Sequence, residues 1–529
     1  MKQEFDYIII GAGSSGCVLA NRLSADPQAR VLLLEAGGND KNMFIHMPAG
    51  IARVKDNPKT DWCFETATQP SLENRKIPVP RGKVLGGSSA INAMVYIRGQ
   101  RQDYDTWRDL GNEGWGYDDV LPYFIKSETN TGAKIEPGFH GTDGPLSVMD
   151  RVHNHPLSDA FIDAAVASGL PQNDDFNGSN QEGFGRYQVT QKDAKRSSAS
   201  TAYLHPVRER SNLTIETKAH VLQLKISGSR VSGVEYLQNG KPKLAEAAGE
   251  VILSAGAIGS PQIMMLSGLG PAAELGRHGI SVVADMAGVG QNLYDHLNLS
   301  VLAKTKEPIS MAGIGGGITA VSALVQYLRN RTGPGTTNGA ESGGFVASHL
   351  SDGRPDIQMH FVPLMLGAGM IDTKIHGVTV HACNLRPTDV GELRLASSNP
   401  MDAPVIDNRF LETDGNIQVM REGIKIAREI LAQKPMADLL SDEYMPGSGK
   451  MSDADLNSFI RATAETEYHP VGTCKMGSDS MAVVDTSLRV HGMDNLRVVD
   501  GSIMPTILSG NTNAPCSMIA EKAADMILK

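Results

Sequence analysis

Apolar positions along the chain fall into three patterns. Residues 5–10 read FDYIII, an unbroken run of the kind a parallel strand buried on both faces requires. RVLLLEAG (residues 30–37), EVILSAGAIGSP (250–261) and LRVVDGSIMP (496–505) repeat that pattern, each closing on a Gly-rich turn or an acid. Apolar residues recur at helical spacing in CVLANRL after the first run and in SGNTNAPCSMIAEKAADMIL (509–528), where Asn513 is expected to cap and Pro515 suits the first turn. LTIETKAHVLQLKI (213–226) alternates and predicts strands of a small sheet. In the middle of the chain DIQMHFVP (356–363) and VTVHACNLRP (378–387) predict antiparallel strands, and GNIQVMREGIKIAREILAQ (415–433) an amphipathic helix. Buried strands followed by helices predict an α/β fold with a doubly wound sheet.

Residues 308–328, PISMAGIGGGITAVSALVQYL, hold no charge over about the length that spans a bilayer. Their glycines favour a mobile lid followed by a buried helix, with peripheral contact to the inner membrane as the alternative. With 529 residues, 41% hydrophobic and 20% charged, the chain is long enough for two or three lobes. A net charge of -10 argues against a nucleic-acid partner, which needs clustered Lys and Arg. The five cysteines are dispersed and form no CxxC pair, which fits a reducing compartment. MKQEFDYIII runs directly into a strand without the pattern of a secretory signal, so a cytoplasmic protein is expected.

GAGSSG, directly after the first run, matches G-x-G-x-x-G at Gly11, Gly13 and Gly16, with Ser14 and Ser15 between. The first glycine allows a tight turn, the second lets backbone approach a pyrophosphate, the third lets helix pack on strand. Glu35 ends the second strand, where a carboxylate binds ribose hydroxyls. This order of elements predicts a dinucleotide site without deciding between NAD and FAD.

RGKVLGGSSAINAMVYIRGQRQDYD (81–105), GAIGSPQIMMLSGLG (256–270) and HPVGTCKMG (469–477) resemble the signature segments of the glucose-methanol-choline (GMC) flavin oxidoreductases, over nearly the whole chain. GELRLASSNPMDAPVIDNRFL (391–411) is similar to that family's C-terminal substrate-domain segment. The resemblance implies a Rossmann-like FAD domain from residues 1–155, 200–298 and 462–529, interleaved with an α+β substrate domain from 156–199 and 299–461. It places Arg81, Gly86, Ser88, Asn92, Ala93, Met94 and Val95 along FAD, with Ala36, Val221, Ala255, Asp500, Gly501, Asn511 and Thr512 completing the cofactor set. Relatives that attach FAD covalently use a histidine before the asparagine; here Ile91 stands there, so FAD is expected to be non-covalent.

Read alone, His469 suits a buried core, a metal site or a catalytic base. Together with Cys474 it supplies at most two ligands, too few for a zinc site. The resemblance makes His469 the base and Asn513 its partner, with a primary alcohol oxidised to an aldehyde by hydride transfer to flavin N5. A quinone, another carrier or oxygen would accept the electrons; choline or L-sorbose dehydrogenases, an alcohol oxidase and a flavin-retaining lyase are the alternatives. Three tryptophans leave little for a quaternary-ammonium cage, which ranks a neutral alcohol above choline. Glu341, Glu467 and Tyr468 are assigned to the substrate side, with a structural carboxylate as the equal alternative for Glu341. Glu467 departs from the family, and is either a solvated or ion-paired residue or a group tuning His469 and oxygen access.

Overall fold

The computed structural model describes residues 4–314, 317–367 and 370–529. One seven-stranded sheet runs in the order Leu213–Thr217, Val31–Glu35, Glu4–Ile10, Lys241–Leu253, Arg230–Gln238, Ala219–Ser227, with Leu496–Val498 pairing beside the long fourth strand. The first four strands and Leu496–Val498 are parallel. The alternating stretch at 213–226 therefore builds no separate small sheet. Lys218, at φ 54°, breaks it into two strands. One is the parallel edge of this sheet; the other joins its antiparallel side.

Ile8, Ile9, Leu32, Leu33, Val251 and Ile252 form the core of this sheet, under helices Ser14–Leu23 and Asn513–Leu528. Gly16 is dictated by that packing: a Cβ there would lie 1.8 Å from the Gly11 carbonyl oxygen. Residues 81–105 close over the same loop, and a Cβ on Gly87 would meet Gly13 Cα at 2.6 Å.

A second, antiparallel seven-stranded sheet runs Leu440–Met445, Leu297–Thr305, Gly377–Asn384, Ile357–Val362, Ser342–Val346, Gly183–Arg186, with Glu465–Thr466 added to Leu297–Thr305. Helix Asp414–Leu431 lays Ile417, Met420, Ile424 and Ala427 on one face, against Leu299, Val301, Met359 and Val380. Alternation then sends Asn298, Ser300, Gln358, His360 and His381 to the opposite face. Register lines them up in rows: Ser300 opposes His381, which opposes His360; Asn298 opposes Cys383, which opposes Gln358.

The uncharged 308–328 segment is neither a span nor a buried helix. Among the described residues no helix is long and apolar enough to cross a membrane. Helix Gly317–Asn330 turns Ala320, Ala323 and Leu324 toward the central cavity and leaves Val321, Val325 and Leu328 at least half exposed. Residues 315–316 of that segment lie outside the described set.

Candidate active site

The parallel sheet, the 81–105 loop and the polar face of the antiparallel sheet enclose a cavity of about 1110 Å³. Pockets for drug-sized ligands run to ~1,000 Å³, so there is room for a dinucleotide and a small substrate. Gly11, Gly13, Ser14, Ser15, Glu35 and Ala36 line it, as do Arg81, Ser88, Asn92, Ala93, Met94, Val95, Val221, Ala255, Asp500, Gly501 and Thr512. A Cβ on Gly13 would meet nothing closer than 4.0 Å, so that backbone is open to a ligand. Glu35 accepts from the backbone N–H groups of Ala12 and Gly37. Burial pushes its carboxyl up to about 7, against the pull of those donors. Asp500 accepts from Ser260 Oγ and the N–H groups of Gly256 and Ser502, tying the Leu496–Val498 strand end to the second Gly-rich turn. Thr512, Asn513 and Cys516 bring the N-terminus of helix Asn513–Leu528 to the cavity, where an anion is favoured. Thr512, not Asn513, holds the cap position.

Two residues assigned to the cofactor support it from behind. Gly16 packs on Gly11, and Gly86, at φ 92°, donates its N–H to the Ala12 carbonyl. Glu341 is a further correction. It does not line the cavity; its carboxylate accepts from His153, the His155 N–H, Ser158 and Thr337, which makes it a structural carboxylate.

Strand pairing brings His469 to the cavity wall. Thr466 opposes Leu297, and the Glu467 N–H bonds the His296 carbonyl. Asp295 accepts from the His469 N–H and Thr466 Oγ1, fixing the backbone that carries the imidazole. Tyr468 has φ 66°, a left-handed conformation uncommon for a bulky residue. The segment is therefore not extended, yet Glu467, Tyr468 and His469 all line the cavity. Cys474 turns away, its sulfur 3.9 Å from that of Met264.

The imidazole of His469 belongs to a hydrogen-bond chain whose direction can be assigned. His296 Nε2 lies 3.0 Å from the Leu385 carbonyl oxygen, which can only accept, so the proton sits on Nε2. His296 Nδ1 must then accept, and His469 Nδ1–H donates to it across 3.0 Å. That leaves a lone pair on His469 Nε2, 3.2 Å from Asn511 Nδ2. Asn511 Oδ1 in turn accepts from Gln358 Nε2 at 3.1 Å, and the same amide donates to His360 Nε2 at 3.2 Å. Burial, followed by His296, pulls the His469 imidazole well below its ordinary value, so it is neutral near pH 7.

Asn511, rather than Asn513, is thus the partner of His469. Asn513 begins the helix and its Nδ2 donates to Ser14 Oγ at 2.7 Å. His296, Gln358, His360 and His381 join the site without standing out in a known motif. The signal for the last three is in DIQMHFVP and VTVHACNLRP, where polar residues recur at every second position of otherwise apolar strands.

This architecture has known counterparts. GMC oxidoreductase family models match residues 5–298 and 387–520. The chain is a GMC oxidoreductase. It is 47% identical to an alcohol dehydrogenase [acceptor] of Pseudomonas putida, covering 99% of this chain and 96% of that protein. Against human mitochondrial choline dehydrogenase the identity is 45%, over 99% and 90% of the two chains. The crystal structure of pyridoxine 4-oxidase from Mesorbium loti superposes with a TM-score of 0.89 at 32% identity, over 98% of each chain. GMC oxidoreductases bind FAD, and the glycine loop, Glu35 and the helix N-terminus fit that group. This GMC oxidoreductase is an FAD-dependent alcohol oxidoreductase.

Proposed function

We propose that the protein oxidises a primary alcohol to an aldehyde and passes the electrons to a quinone or similar carrier. The lone pair that the Leu385–His296–His469 chain leaves on His469 Nε2, facing the cavity, carries this reading. A neutral imidazole in this tautomer can take the hydroxyl proton once the alcohol oxygen displaces the Asn511 Nδ2 contact from the Nε2 lone pair and accepts from Nδ2 in its place. Bound FAD supplies the hydride acceptor.

Anaerobic addition of a primary-alcohol panel to the yellow holoenzyme tests this. At least one alcohol should bleach the flavin, with slow recovery in air and fast recovery on adding a quinone. Fast recovery in air would make the enzyme an oxidase, and no bleaching at all would remove the alcohol reading. His469→Ala should keep FAD and slow the reduction by ~10² to 10⁴-fold; an unchanged rate would acquit His469. FAD is held without a covalent bond, since Ile91, a hydrocarbon, lines the cavity before Asn92. Acid precipitation should therefore leave the yellow colour in solution, and a yellow pellet would contradict this.

A further inference from the structure

We infer that Glu467 and the polar face of the antiparallel sheet form a subsite for a protonated amine, so the preferred substrate is an amino alcohol whose ammonium carries N–H donors. The inference rests on the alcohol-oxidising reading above and names its substrate class.

Glu467 lines the cavity, and its side chain keeps 16% exposure. Among the described residues its one ion-pair contact is His360 Nδ1, at 3.6 Å. The hydrogen-bond chain sets which nitrogen of that histidine faces which partner. Because Gln358 Nε2 donates to Asn511 Oδ1, the same amide nitrogen must also face His360 Nε2 as a donor. His360 Nε2 therefore accepts, and an Nδ1–H points toward Glu467. His381, opposite His360, is neutral: burial pulls it down to about 4. Burial would raise the Glu467 carboxyl, but the facing His360 N–H, foremost among the opposing influences, outweighs it and holds the group below the usual carboxylate range.

A carboxylate thus stands in the cavity wall beside imidazoles, with no Lys or Arg paired to it among the described residues. Removing an unpaired charge from water costs several kcal/mol, and a cation brought by the ligand offsets it. A neighbouring acceptor suits an N–H group. Asn298 commits Nδ2 to the Thr466 carbonyl, which leaves Oδ1 as an acceptor, and His381 meets Ser300 Oγ through Nδ1. Both residues line the cavity. A quaternary ammonium could not donate to Asn298 Oδ1 or Glu467, having no N–H. A plain alkanol would leave the carboxylate with the His360 contact alone.

The test uses the holoenzyme with ω-amino alcohols of two to six carbons, n-alkanols matched in heavy atoms, and the N-trimethylated amino alcohols. Anaerobic flavin reduction is followed against concentration at pH 7. At least one amino alcohol should half-saturate at a concentration ~10-fold or more below its alkanol and its trimethylated form, a preference of about 1.4 kcal/mol. Glu467→Gln should abolish that preference. Equal half-saturation in the wild type, or a preference that survives in Glu467→Gln, would overturn the subsite. A readout without turnover separates the two readings: pentylammonium chloride should perturb the flavin spectrum of the wild type and not of Glu467→Gln. If it does so while no alcohol bleaches the flavin, the subsite stands and the alcohol reading falls. If alkanols bleach but pentylammonium does not bind, the reverse holds. Should Glu467→Gln lose FAD, the wild-type comparison of primary and trimethylated ammonium decides alone.

Discussion

Asn511 and Asn513 stand two positions apart and serve different partners. Asn511 Nδ2 faces His469 Nε2, and Asn513 Nδ2 is committed to Ser14 beside the glycine loop. Asn511→Leu should therefore slow anaerobic flavin reduction by ~10² to 10³-fold, the loss typical of one donor aimed at developing negative charge on oxygen. Asn513→Ala should stay within a few-fold of the wild-type rate and release FAD more readily in dialysis. Equal rate losses in the two variants would return the catalytic role to Asn513. The sequence showed an asparagine beside the helix start, but not which one. The choice depends on where the helix begins, and Thr512 holds the cap position at φ -92°, so the helical turn starts at Asn513 itself. The segment around His469 left three roles open and only the family resemblance pointed to the base, while its tautomer left no mark in the sequence. That property comes from Leu385, whose backbone oxygen no side-chain pattern can announce.

At the scale of elements, the Ile357–Val362 strand carries core and site on opposite faces. Met359 and Phe361 pack into the core, while Gln358 orients Asn511 from the other side. Gln358→Leu keeps the size but deprives Asn511 Oδ1 of its donor. With a buried partner left unpaired, at a cost of ~1–3 kcal/mol, Asn511 loses its fixed orientation and the limiting rate of flavin reduction should fall about tenfold or more. A rate equal to wild type, measured at saturating alcohol, would show that Asn511 is oriented by something else. The buried strands of the first sheet were plain in the sequence because apolar runs leave one reading. The antiparallel strands were visible too, and their every-second polar residue marks a face set apart from the core. What that face looks onto is decided by interleaved chain segments hundreds of residues apart, which local periodicity does not encode.

At the scale of the whole molecule, a buried polar cluster joins segments far apart in sequence. Arg98 Nη2 meets Glu128 Oε1 at 2.8 Å with both side chains nearly fully buried. His140 bridges Glu128 and Asp175, at 2.9 Å to each. Burial alone would lower the His140 imidazole, but Asp175 and Glu128 outweigh it and raise it above 6.5. A group raised in the folded state contributes stability that is complete below its unfolded value and is lost as pH rises through its folded value. Thermal stability should therefore decline as pH climbs from about 6.5 upward, and His140→Gln should lose that component of the slope. Parallel Tm-against-pH curves for the two proteins would show that His140 does not carry it.

The hydrogen-bond chain that ends at the Leu385 carbonyl limits where a proton can go. A backbone carbonyl is no practical proton store, so the relay behind His469 is a dead end that holds the tautomer and conducts nothing onward. Under the proposed reaction, a proton that Nε2 took from an alcohol would have to leave by the cavity through which the alcohol came in. The base would then be reset only when the aldehyde moved aside, coupling renewal of the catalyst to departure of its product.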